Sequence, residues 1–263
     1  MTLLQRYGEA LRPEGARTAV LAGVTGRISL GMTGLALLLV VKQATGSYAS
    51  AGVVSACYAV SFALAAPWRA RAADRRGASP VLRVSAAIHP LAFAATIVLT
   101  QLRAPVLADA AAAMAIGFTV PPLSGVLRAL WPRLLEPSVL PVAYALEAVV
   151  VELCFIAGPL LVALVAAVAS PAAALGASAV LGSGGALVLS VLPVVSGVAP
   201  VPDRPTHLAG PRVSPAVRVL LLCVLCVGAG FGAIEVGVLA FVEEHGHSRA
   251  AAGVVLAVWS AGS

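Results

Sequence analysis

Charge is what this chain has least of. Lys and Arg number 17 and Asp and Glu 11 among 263 residues, a charged share of 11%, where a soluble domain carries roughly a quarter. That scarcity excludes an ordinary water-soluble surface. Cysteine is sparser still, at four residues. Cys57, Cys154, Cys223 and Cys226 all lie inside apolar runs, so there is no disulfide framework of the secreted type. Cys223 and Cys226 form a CxxC, but no polar neighbour suggests a metal or redox site, and packing is the expected role. The chain also lacks a glycine-rich nucleotide loop followed by Lys, a zinc-protease helix motif and a serine elbow. Transport powered by ATP hydrolysis within this chain is not expected; no catalytic residue, metal or cofactor is expected, and the chain reads as a non-enzyme.

What is present is apolar length. Sixty per cent of the residues are hydrophobic, and runs near the membrane-spanning length of about 20 residues fall at 18–41, 48–67, 81–101, 105–127, 139–168, 171–197, 216–242 and 248–263. The first run is too long for a signal-peptide core and lacks a clear cleavage site, so it should stay in the mature protein. Ser-Pro at 79–80, 170–171 and 214–215 predicts helix starts, with a hydroxyl at the N-cap and proline at the first helical position. Pro121-Pro122 should break or kink span four. Short connections at 42–47, 102–104 and 169–170 make consecutive spans antiparallel neighbours. The fold class is therefore all-α, a polytopic membrane bundle.

The few positive charges are unevenly placed. With a cytoplasmic N-terminus, segments 1–17, 68–83, 128–138 and 198–218 hold 13 of the 17 Lys and Arg. That is the bias that orients a multi-pass protein, and the largest share lies in "APWRARAADRRGASPVLR" (66–83). The reading is a multi-pass protein of the cell (inner) membrane. Residues 3–11 suggest a short interfacial helix or a solvated tail.

The proline-rich stretch 197–215 reads as a linker, dividing the chain into a six-span bundle (1–197), a cytoplasmic connection (198–214) and an incomplete second bundle (215–263). Across it, "SYASAGVVSACYAVS" (47–61) and "SRAAAGVVLAVWSAG" (248–262) align. Each opens an even-numbered span, as parallel six-span halves require.

Six spans, a linker and a second copy of the opening spans resemble a major facilitator superfamily transporter whose second half is cut short. The family's loop motif, roughly G-x-x-x-D-R-x-G-R-R, aligns with Ala70 to Ser79: Asp74, Arg75 and Gly77 match, while Ala70 and the pair Ala78-Ser79 depart from it. The resemblance implies a cytoplasmic gate at Asp74, Arg75 and Gly77. "ELCFIAGPLLV" (152–162) is similar to the family's exporter motif at Gly158-Pro159, where proline also implies a helix kink. The arginine that the family often carries inside span four is missing.

Four charges lie inside apolar runs: Arg27, Glu147, Glu152 and Glu235. Each costs roughly 2.5 to 3.5 kcal/mol near a span centre on insertion scales, so they should face a cavity or one another. The family fold implies that Arg27 meets Glu147 or Glu152, either as a structural ion pair or at a substrate or proton site. The two glutamates diverge by roughly 140° on a helix, which predicts different roles. Small residues at helical spacing, Gly23, Gly26, Gly31 and Gly34 in span one, Ala113 and Gly117 in span four and Gly228 and Gly232 in span seven, predict close helix packing. "EEHGH" (243–247) reads as a solvated turn. The expected function is secondary active transport of a small molecule, proton-coupled efflux by alternating access. The alternatives are a nutrient importer of the same fold or a non-transporting scaffold. The expected partners are the lipid bilayer, a small-molecule substrate and protons, with no nucleic acid; the chain is expected to be a monomer.

Overall fold

The computed structural model describes residues 8, 11–197, 215–246 and 249–262. The linker at 198–214 and most of the proposed interfacial segment 3–11 lie outside the described residues. Every regular element among those described is a helix: α1 Ala16–Thr45, α2 Tyr48–Arg76, α3 Ala78–Gln101, α4 Val106–Thr119, α5 Leu123–Leu134, α6 Leu140–Val168, α7 Pro171–Val191, the single turn α8 Pro193–Ser196, α9 Pro215–Glu244 and α10 Arg249–Gly262. Counting α4 and α5 as one broken span, seven are long and apolar enough to cross a membrane, and the chain is a multi-pass membrane protein on that basis.

Three details of the sequence reading change. The arginine-rich stretch 68–83 is not an open loop. Helix α2 continues through Arg76, and Gly77 alone, at φ 88° and ψ 152°, joins it to α3. Only glycine takes that conformation without strain. Ser79 is not the N-cap of α3, which starts at Ala78; its hydroxyl instead donates to the Ser190 carbonyl on α7. Segment 128–138 is helical as far as Leu134. Other boundaries follow local chemistry. Ser170 accepts from the Ala173 N–H at 3.0 Å and Pro171 opens α7, Pro215 opens α9, and the chain is non-helical at Val120–Pro122, where two prolines remove backbone donors.

Helix α1 is the centre of the bundle. It is buried all round from Leu35 to Val41, the mark of a helix surrounded by others, and it packs chiefly on α7, α6 and α2. Small residues set how close the neighbours come. A side chain at Gly158 of α6 would strike the backbone of Gly31, and one at Gly185 of α7 would strike Gly26 and the Ala22 carbonyl. Between α1 and α7 the Ser178 hydroxyl lies 2.9 Å from Ser29 Oγ and 2.8 Å from Thr33 Oγ1. In span seven, by contrast, Gly228 and Gly232 have nothing within 4 Å among the described residues. Helix α10 packs on α6, where Gly253 abuts Ala163 and the Pro159 carbonyl.

Alternating direction puts Arg69 to Arg83 and the start of α1 at one end of the bundle, hereafter the basic end. Lys42, Tyr48 and Glu243 lie at the opposite end.

Candidate functional site

Arg27 stands on the central helix, 4% exposed, and has to be paired. Its Nη2 donates to Glu147 Oε1 of α6 at 3.0 Å, and its Nε donates to Ser124 Oγ of α5 at 3.1 Å. The second oxygen of Glu147 faces Arg128 Nε at 3.8 Å. Glu147 is 5% exposed, so the carboxylate is held between one buried and one solvent-facing guanidinium. Helix α5 can deliver Ser124 and Arg128 here because the break at Val120–Pro122 restarts the helix beside α1.

The pair forms the wall of a cavity of about 410 Å³ lined also by Ser124, Arg128, Val151 and Glu152. Glu152 reaches the cavity but is exposed and has no ion pair among the described residues. The five-residue spacing thus separates a buried, locked glutamate from an open one. Ser124 and Gly125 also line a larger cleft of about 600 Å³ that opens toward the basic end and includes Arg69, Asp74, Ala78, Pro121 and Arg133. Asp74 and Arg75 are exposed while Gly77 is buried.

Glu235 is not part of this cluster. Its carboxylate lies against Gly34, seven residues and so about 10 Å along α1 from Arg27, toward the opposite end. Gly158 and Pro159 are buried where α6 meets α1 and α10, and α6 runs through Pro159 as one helix.

Several polar contributors were not picked out in the sequence. Arg69 closes the broken end of α4, donating to Gly117 O at 2.7 Å and to Phe62 O at 2.9 Å while its guanidinium stacks on the Phe62 ring. His89 on α3, 2% exposed, has Nδ1 2.9 Å from Thr119 Oγ1. Asp109 on α4 is buried as well. His89 and Asp109 were open to the argument that singled out Arg27, being polar groups inside apolar runs. Arg69 was not, because its role depends on where α4 breaks.

At the opposite end the two sides of the linker touch. The Tyr48 hydroxyl donates to Glu243 of α9, and Lys42 Nζ lies 3.9 Å from the centre of the Tyr48 ring. Leu239 and Val242 of α9 join the buried cluster of α1 and α2 there, while α9 is exposed from Cys226 to Ile234. No group of three or more His, Cys, Asp or Glu capable of holding a metal occurs among the described residues, and within "EEHGH" Glu243 meets Tyr48 while His245 bonds its own helix and packs on the Phe241 ring.

No protein-family model matches the chain, and no curated protein matches it.

Proposed function

We propose that this protein is a secondary transporter of the major facilitator type, moving a small molecule by alternating access with the N-terminus cytoplasmic. The observation that carries the reading is the buried Arg27–Glu147 pair on the wall of an open pocket between α1, α5 and α6. A helical anchor needs no ionised groups at membrane depth, and a bundle that transports needs polar groups facing a water-accessible pocket. Helix contacts across the linker at the opposite end, with a cleft at the basic end, support an inward-facing arrangement in which Tyr48 and Glu243 form the outer closure. Gly158-Pro159 and the proton gradient available at a cell membrane favour proton-coupled efflux.

In this reading Arg27 and Glu147 bind or orient substrate, Glu152 supplies the exposed charge of the pocket, and Asp74, Arg75 and Gly77 act at the cytoplasmic gate. The test is uptake and efflux of a metabolite and dye panel by cells expressing the full-length protein, with and without an uncoupler. Arg27→Ala and Glu152→Gln should each reduce flux of any compound moved. Unchanged flux in both variants removes this pocket from the transport path.

A further inference from the structure

The first turn of α4 contains a carboxyl group that the pocket does not use. Asp109 is 1% exposed, and neither carboxylate oxygen has a hydrogen-bond partner among the described residues. Buried polar groups are normally paired, and an isolated ionised carboxylate in an apolar setting is costly enough that such groups take up a proton instead.

A second unpartnered group belongs to the same seam. Helices α2 and α4 run parallel, with α3 between them in sequence. The Ser61 hydroxyl donates to Met114 O at 2.7 Å and the Trp68 ring lies 6.4 Å from that of Phe118. Carried toward the opposite end, this register puts Ser55 of α2 within about a turn of Asp109, and Ser55 Oγ is itself buried without a partner. Ala51, Val54, Ala110 and Ala113 pack around this level in one apolar cluster.

Among the described residues, no cation faces Asp109 from α2 or α3, the helices packed chiefly on α4. On α2, Arg69 binds carbonyls at Gly117 and Phe118, and the Tyr58 carbonyl also abuts Gly117, eight residues and so about 12 Å farther along α4. On α3, His89 is held at Thr119. Thr96 and Thr100 of α3 donate their hydroxyls to their own helix, and Arg103 is exposed in the preceding turn. A hard metal cation would take about six oxygens, against two from Asp109 and one from Ser55. A proton needs one.

We propose that Asp109 is a proton-binding site in the α2–α4 seam. On binding, one O–H bond forms on the carboxylate, the proton comes from hydronium in water at the opposite end, and the side chain changes from −1 to neutral. The neutral acid can donate to Ser55 Oγ and close the seam. On release the O–H bond breaks, the proton returns to water, and the carboxylate must be hydrated, which parts α2 from α4. Helix α2 also carries Tyr48 and Asp74, so the seam is linked to both closures. The transport reading is needed only to make this proton the coupling ion.

The test is hydrogen exchange of segments 50–62 and 106–119 in the full-length protein in lipid nanodiscs, from mildly acidic to mildly alkaline buffer, corrected for base catalysis of exchange. The wild type should lose protection in both segments as pH rises. Asp109→Asn, which mimics the neutral acid, should abolish that step and keep the seam protected. Asp109→Glu should retain the step with a shifted midpoint, and unchanged protection of α6 and α7 confirms that the variants fold. A step that persists in Asp109→Asn, or its absence from the wild type, overturns the proposal. No substrate enters this experiment, so absent flux with the step intact counts against the transport reading alone.

Discussion

Removing Glu147 leaves Arg27 buried without its counter-charge, and removing Arg27 leaves buried Glu147 with only the solvent-facing Arg128. Loss of one partner of a buried pair costs about 3–5 kcal/mol. Glu147→Ala and Arg27→Ala are therefore each expected to lower the thermal midpoint of the purified protein substantially, and the double variant by clearly less than the sum. Strict additivity in that cycle would show that the two charges do not act on each other. Glu152→Gln, at an exposed position, should leave the midpoint almost unchanged, within about 0.5 kcal/mol. At this scale much was legible in the sequence. Arg27, Glu147, Glu152 and Glu235 stood out because ionised side chains are rare in apolar runs. Which glutamate Arg27 meets was not legible, since that depends on the rotation of α6 about its axis, and neither was the contribution of Ser124, an unremarkable residue until α5 is placed beside α1.

Helix contacts in this bundle are set by where side chains are missing. Gly158 faces the Gly31 backbone, so Gly158→Leu should force α1 and α6 apart and destabilise the fold by about 1–3 kcal/mol or more. Gly228→Leu, where nothing approaches, should be close to neutral. Denaturation of the two variants side by side distinguishes a packing role from a general intolerance of leucine. The break in span four makes a second prediction. Arg69 bridges the Gly117 and Phe62 carbonyls with a planar fork that lysine cannot reproduce. Arg69→Lys should accelerate amide exchange around 114–120 without affecting α6. Equal protection in the variant would mean that the neighbouring helices alone hold the break. Seven of the eight expected span positions, the Ser170 cap and the Pro121-Pro122 interruption were readable from local rules, while the helix at Arg249–Gly262 is shorter than a span. The single-residue junction at Gly77 was not, because the arginines that signal a cytoplasmic segment are also good helix formers and carry α2 beyond the apolar run.

Across the whole molecule, the contact between Tyr48 and Glu243 joins the two sides of the linker at one end, while a cleft occupies the other. An oxidised cysteine pair at positions 48 and 243 should hold this end of the bundle together and, on the transport reading, arrest flux, with recovery on reduction. Flux unaffected by a fully formed crosslink would exclude that contact as a gate. The bundle's all-helical class was legible from composition, whereas the arrangement of α9 and α10 depends on long-range packing that no local pattern encodes. The repeat at 47–61 and 248–262 carries no information on their neighbours. Secondary transport is tested most directly by movement of the metabolite and dye panel in cells expressing the full-length protein, before and after collapse of the proton gradient. Secondary transport of the proposed kind requires that at least one compound is moved outward and that the uncoupler stops it. Verified insertion in the membrane with no movement of any compound would contradict it and leave a helical scaffold as the better description.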